Sequence, residues 1–249
     1  EKTGEVFFGV SVSGGIDESG NELPIIYQPQ YEKRGLPGAV YEIVAAEDII
    51  TPDGTVRNHK GDVVDTIITD ENGIAMSCEL YLGEYEVREV TAPNGMVLNP
   101  ESRFVELVYA GQNVAVTETA TSFENERQKV EISLVKSIEQ NERFDIGTNG
   151  EMKNITFGLF AAEEIVSASG TSIPANGLIE IVSLNEDGTA TIKTDLPYGR
   201  YYVQEIATDS HYKLSDAKYP IIFEYVGQDT AVVKIAVNDG KACLLYTSD

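Results

Sequence analysis

A lysine and a glutamate point toward one apolar interior in the second half of this chain. Successive side chains of a β-strand alternate between its two faces. In residues 130–136 this alternation places Lys136 on the apolar face, and in residues 199–205 it does the same for Glu205. An unpaired buried charge costs several kcal/mol, so the pattern predicts either a buried ion pair or a lysine that reaches solvent at the strand end. An apolar site also lowers the pKa of a lysine, which favours the neutral, nucleophilic amine.

The first half carries part of the same set. Glu89 lies on the inward face of its strand, and Asn125 follows on the inward face of a later one. Alternation along the first strand places Gly14 at the lysine position, so we expect the first half to lack the amine. Lys33 is the nearest substitute. The alternative is that Glu89 is a hydrogen-bonded acid of the core.

These residues belong to a repeat. Residues 83–89 (GEYEVRE) return as residues 199–205 (GRYYVQE), an offset of 116 that other landmarks of the chain share. This period exceeds the roughly 20 to 50 residues of a solenoid unit. The sequence therefore predicts two copies of one domain, with limits of 1–127 and 128–249.

Short alternating runs between turn residues indicate an all-β fold. Runs of about five residues closed by such turns are typical of a sandwich or barrel. We expect turns at four segments that end in glycine: residues 51–54, 70–73, 92–95 and 185–188.

Composition narrows the function classes. The 249 residues carry 18 basic and 41 acidic side chains, a formal charge of −23. This charge argues against nucleic acid and an anionic membrane as partners, and no apolar run approaches the roughly 20 residues that span a bilayer. His59 and His211 lie at non-equivalent positions without companions at ligand spacing, so we expect neither metal nor cofactor.

The order of the motifs resembles a known family. An inward lysine on the first strand, Gly-x-Tyr-x-x-x-Glu, Ala-Pro-x-Gly and an asparagine ending the last strand together resemble the collagen-adhesin B-type and SpaA-like domains of Gram-positive surface proteins and pilins. The resemblance implies two tandem immunoglobulin-like or prealbumin-like β-sandwich domains. It also implies that the lysine amine attacks the asparagine amide, releasing ammonia and leaving an isopeptide bond, while the glutamate orients both groups.

The resemblance assigns candidate residues in each copy. In the second copy they are Lys136, Glu205 and Asn238, although alternation turns Asn238 outward unless a bulge intervenes. In the first copy they are Glu89 and Asn125, a partial set. We therefore expect the second copy to be the more resistant half.

These features predict a structural role rather than an enzyme, since the cross-linking reaction occurs once per chain. The expected function is a stalk or spacer of a secreted, wall-anchored adhesin or pilin-like protein, located outside the cell. Its partners would be neighbouring repeats of the same chain, with host matrix protein or glycan bound through another domain. The alternative is a module that binds such a ligand itself. A transthyretin-like enzyme is a weaker alternative, since it would need a histidine-centred cluster.

Overall fold

The computed structural model describes residues 1–16, 19–140, 142–144, 147–238 and 241–245, and strands dominate it. The chain divides into two compact units. Unit 1 comprises Glu1–Val6, Glu32–Gln128 and Gly227–Ala231, and unit 2 comprises Phe7–Tyr31, Lys129–Val226 and Val232–Asp249.

Unit 1 contains a four-stranded antiparallel sheet. The strands of the first half are β1 (Lys2–Ile16), β2 (Glu22–Gly35), β3 (Val40–Ala45), β4 (Ile49–Ile50), β5 (Val56–Asn58), β6 (Val63–Ile68), β7 (Gly83–Thr91), β8 (Ser102–Leu107) and β9 (Phe123–Asn125). The sheet order is β6-β3-β7-β8, and β4 pairs with β5. The start of β1 runs parallel to β9, so the first and last strands of unit 1 are neighbours.

Alternation along β3 and β7 builds the core of unit 1. Tyr41 and Ile43 on β3 are buried with Tyr85 and Val87 on β7. Glu89 continues the inward face of β7 and is buried too. The period of two therefore carries a carboxylate into an apolar core.

Unit 2 has two larger sheets. Its strands from the second half are β10 (Lys129–Val135), β11 (Thr156–Ala161), β12 (Ile165–Val166), β13 (Ser172–Ile173), β14 (Leu178–Ser183), β15 (Thr189–Ile192), β16 (Gly199–Ala207), β17 (Lys218–Phe223), β18 (Val232–Asn238) and β19 (Lys241–Leu245). Two short 3-10 helices, Glu142–Phe144 and Glu151–Asn154, follow β10. One sheet has the order β15-β10-β18-β19, and β12 pairs with β13.

The other sheet of unit 2 takes in a segment from the start of the chain. Its order is β17-β16-β11-β14-β2-β1, where β1 and β2 contribute through residues 7–31. Phe7, Val10 and Tyr27 of this segment pack against the core of unit 2. These three side chains attach the β1–β2 segment to unit 2, whereas Val12, Ile16, Leu23 and Ile25 of the same segment are exposed.

The four predicted turns are confirmed. Gly54, Gly73, Gly95 and Gly188 have φ values of 82°, 76°, 83° and 79°, in the left-handed region that glycine enters without steric cost. The all-β prediction is confirmed as well. In the described part of the chain, no helix is both long and apolar enough to cross a membrane.

Candidate functional site

The best-formed cluster of reactive groups lies in unit 1 and begins with Lys2. The Lys2 amide donates a hydrogen bond to the carbonyl of Gly73 (2.7 Å), and the Lys2 carbonyl accepts one from Leu36 (3.0 Å). A Cβ on Gly73 would lie 2.2 Å from the Lys2 carbonyl oxygen. The turn that ends at Gly73 therefore holds the backbone of Lys2 at a distance that only glycine permits.

Lys2, Glu89 and Asn125 meet in the interior. The Lys2 and Glu89 side chains have no solvent exposure, and Lys2 Nζ lies 3.0 Å from Glu89 Oε1. Lys2 Nζ also donates to Asn125 Oδ1. Asn125 Nδ2 donates to both carboxylate oxygens of Glu89, at 3.1 and 3.0 Å. Each of the three groups therefore contacts the other two.

A main-chain contact holds the carboxylate in place. The amide of Asn99 donates to Glu89 Oε2 at 2.8 Å. The Asn99 side chain donates in turn to the carbonyl of Glu124, one residue before Asn125 (3.0 Å). Asn99 thus ties the carboxylate to the strand that carries the asparagine.

Two aromatic rings enclose the amine. The centroids of the Tyr41 and Phe123 rings lie 5.7 and 5.8 Å from Lys2 Nζ and 4.9 Å from each other. Burial lowers the pKa of the Lys2 amine below its ordinary value of 10.5, although the hydrogen bond and charge of Glu89 oppose this shift. Burial therefore weakens proton binding by Lys2, which makes the neutral amine, the form with a free electron pair, easier to reach than in an exposed lysine.

Tyr41 completes the surroundings of the carboxylate. It lies directly opposite Glu89 in the β3–β7 ladder, next to a register irregularity between Val40 and Tyr41. Burial and the nearby Glu89 carboxylate raise the pKa of the Tyr41 phenol. Its hydroxyl is buried and has no hydrogen-bond partner among the described residues.

The predicted position of the first amine is wrong. Gly14 has a φ of 99°, and a Cβ there would lie 2.0 Å from the carbonyl oxygen of Pro24, so no lysine fits. Lys2 supplies the amine instead, and the set of Glu89 and Asn125 is complete rather than partial. Lys33, the other candidate, lies on β2 in an exposed ion pair with Glu124.

An insertion explains the error. Lys2 and Tyr41 are 39 positions apart, whereas Lys136 and the equivalent Phe157 are 21 apart. The first half thus has 18 additional residues between these two positions, and alternation along a strand, which placed Gly14, cannot reveal an insertion. The sequence signal that could have identified the amine is Lys2 itself, the first residue of β1.

Unit 2 contains a less enclosed pair. Lys136 Nζ lies 3.3 Å from Glu205 Oε2, and the Lys136 side chain remains 22% exposed whereas that of Glu205 is 3% exposed. The register pairs Asn238 with Val135, the neighbour of Lys136. The Asn238 side chain lies outside the described residues. The ion pair is therefore present, and the third member stays a prediction.

The histidines belong to surface contacts. Nδ1 of His59 lies 3.6 Å from Oδ1 of Asp48, and Nδ1 of His211 lies 2.6 Å from Oδ1 of Asp209. In the described ranges no group of three or more His, Cys, Asp or Glu side chains has the arrangement of a metal site.

Comparison with known families decides the classification. A sequence profile of the SpaA prealbumin-like fold domain matches residues 25–122 and again residues 137–241, together well over half of the chain. The chain belongs to the SpaA prealbumin-like domain family. It carries two such domains, so the predicted family and fold class are confirmed.

Solved structures with similarity to these SpaA-like domains include surface proteins of Gram-positive bacteria. The Bacillus anthracis TIE protein is 18% identical over 93% of this chain, with a TM-score of 0.49, and the chain spans 41% of its length. The minor pilin GBS52 of Streptococcus agalactiae is 16% identical over 100% of this chain and 98% of its own, with a TM-score of 0.29.

A third structure and a negative result complete the comparison. A C-terminal fragment of the pilus adhesin SpaC from Lactobacillus rhamnosus GG is 13% identical, with a TM-score of 0.38 and coverage of 85% and 91%. The chain also spans 62% of the length of a streptococcal ancillary pilin. No curated protein matches the sequence.

Proposed function

We propose that the chain is a structural stalk or spacer segment of a secreted, wall-anchored surface protein, and that unit 1 locks itself with an isopeptide bond between Lys2 and Asn125. The observation that carries this proposal is the buried contact of Lys2, Glu89 and Asn125. Membership of the SpaA-like family supports the structural role. The proposed partners are neighbouring repeats of the same parent chain.

The geometry supports one reaction with balanced atoms. Glu89 takes a proton from the Lys2 ammonium, and the neutral amine attacks Cγ of Asn125 to form a C–N bond. Glu89 then donates this proton to Nδ2 of Asn125, which leaves as ammonia. Glu89 takes the second proton from the former Lys2 amine, so it ends the reaction as a protonated acid. Fixed proximity of this kind is worth roughly 7 to 11 kcal/mol of the barrier. The reaction occurs once per chain, so the protein is its own product rather than an enzyme.

The proposed bond changes how unit 1 carries load. β1 and β9 are parallel neighbours joined through only three register pairs. The bond would replace this short ladder with a covalent link between the first and last strands. Loop-closure entropy for a ring of this size stabilises the fold by about 5 kcal/mol.

Intact-mass measurement tests the proposal. We expect the folded chain to be one ammonia lighter than its sequence, and Lys2→Met, Glu89→Gln and Asn125→Ala each to retain the full mass. Lys33→Met is the matched control, because it removes an amine that pairs with Glu124 at the surface and should leave the loss intact. A folded wild type at full sequence mass would contradict the proposal.

The same measurement tests the second predicted bond. A bond from Lys136 to Asn238 would add a second loss of ammonia that Lys136→Met removes. The register, which places Asn238 opposite Val135, favours a single loss. Fragmentation of the cross-linked peptide then identifies the joined residues.

A further inference from the structure

The Tyr41 hydroxyl is buried near the Glu89 carboxylate without forming a well-defined hydrogen bond. Tyr41 is 3% exposed, and its hydroxyl has no partner in the described part of the chain. Buried hydroxyls are nearly always hydrogen-bonded, and an exception calls for a physical explanation. Tyr85, on the neighbouring strand of the same core, follows the rule, since its hydroxyl donates to the carbonyl of Tyr81 at 2.7 Å.

The position of Tyr41 suggests when its hydroxyl finds a partner. Before the proposed reaction, Glu89 accepts hydrogen bonds from the Asn125 amide, the Lys2 amine and the Asn99 main chain. Loss of ammonia removes the Asn125 donor from both carboxylate oxygens. The charge on Lys2 disappears in the same step, because the amine becomes an amide. Glu89 ends the reaction as a protonated acid, and its carbonyl oxygen has then lost the Asn125 donor. The Tyr41 hydroxyl lies opposite Glu89 and can replace that donor.

We propose that the Tyr41 hydroxyl donates a hydrogen bond to Glu89 as the Asn125 amide leaves, and that Tyr41 is a positioning residue for the cross-link. This inference rests on the proposed isopeptide reaction. Tyr41 makes no bond to a reacting atom and gives up no proton. It orients the Glu89 carboxyl group while the Asn125 donor leaves.

The second unit provides a natural comparison. Phe157 occupies the position of Tyr41 and lies opposite Glu205, next to the same kind of register irregularity. Phe157 is buried in its core, so a phenylalanine fits this location in the fold. Unit 2 therefore retains the carboxylate and the aromatic ring but lacks the hydroxyl beside its less enclosed lysine.

The test uses Tyr41→Phe, with Tyr85→Phe as the matched control. Each full-length chain is isolated in denaturant before it has folded, then folded by dilution, and the loss of ammonia is followed by intact mass. We expect Tyr41→Phe to fold, as circular dichroism will show, but to lose ammonia roughly tenfold more slowly than wild type. Tyr85→Phe removes a hydroxyl that bonds elsewhere, so its rate should match wild type.

A spectroscopic measurement separates chemistry from packing. In the reacted protein, the carbon-13 signal of the Glu89 carboxyl should move on Tyr41→Phe and stay in place on Tyr85→Phe. Equal rates in the two variants together with an unmoved Glu89 signal would overturn the role of Tyr41 and leave the cross-link intact. A wild-type chain that never loses ammonia would overturn the cross-link itself, and this inference with it.

Discussion

The buried Lys2 amine is difficult to explain as a stabilising contact. Taking a lysine and a glutamate out of water costs about as much as their attraction returns, and apolar replacements of such pairs are often equally stable. Lys2 has no solvent contact, and its pKa is lowered mainly by burial. A residue kept at this cost is better explained by what its neutral amine can do to Asn125.

The lowered pKa of Lys2 predicts a dependence of stability on pH in a chain that cannot cross-link. In Asn125→Ala, native Lys2 binds its proton more weakly than in the unfolded chain. The unfolded state therefore holds more protons between the folded pKa and 10.5, and stability rises with pH in that window. The slope is at most about 1.4 kcal/mol per pH unit.

The double variant Asn125→Ala with Lys2→Met isolates this contribution, because other titrating groups cancel in the difference. Denaturant unfolding between pH 7 and 10.5, the ordinary pKa of this amine, gives the two curves. The free energy of unfolding should rise with pH in the single variant, which keeps Lys2, relative to the double variant. A difference that is constant or falls with pH would contradict the lowered pKa of the buried Lys2 amine.

At the scale of elements, alternation was sufficient for the strands but not for the site. The period of two predicted the inward Glu89 and Glu205 and the all-β class, and the glycine turns were correctly placed. The placement of the lysine position at Gly14 was wrong because strand alternation carries no information on insertions. The first half has 18 more residues between its lysine and Tyr41 than the second half has between Lys136 and Phe157. The pairing of β1 with β9 joins segments that are far apart in the sequence. The residues of one strand do not predict which other strand will pair with it.

The turn at residues 70–73 predicts how this long-range contact can be broken. Gly73→Ala would place a Cβ 2.2 Å from the Lys2 carbonyl at a φ of 76°, so the turn and Lys2 must separate. We expect a loss of about 1–3 kcal/mol in stability and a slower or absent loss of ammonia.

Gly54→Ala is the control for this substitution. It has a similar φ of 82°, and a Cβ there meets nothing within 4 Å, so it carries the backbone strain without the collision. Thermal unfolding and intact mass are measured on both variants. Equal mass loss in the two would show that the turn at Gly73 does not position the amine.

For the whole molecule, the path of tension follows from strand order. A bond from Lys2 to Asn125 passes force directly to β10, which begins at Lys129. Strands β2 to β8 then lie outside the loaded path. Within unit 2, force passes between β10 and β18, parallel strands with seven register pairs that are loaded in shear. If the proposed Lys2–Asn125 bond forms, unit 1 is the more resistant half, which is the opposite of the expectation from sequence.

Single-molecule pulling from the two ends tests this path. In the wild type we expect only the residues after Asn125 to extend. In Lys2→Met, the chain between residues 2 and 125 is released and adds roughly 400 Å of contour length. Lys33→Met should behave as wild type, because its amine forms only a surface ion pair. Extension of equal length in wild type and Lys2→Met would mean that β1 and β9 are held by their three-pair ladder alone, and that unit 1 is a spacer without a covalent lock.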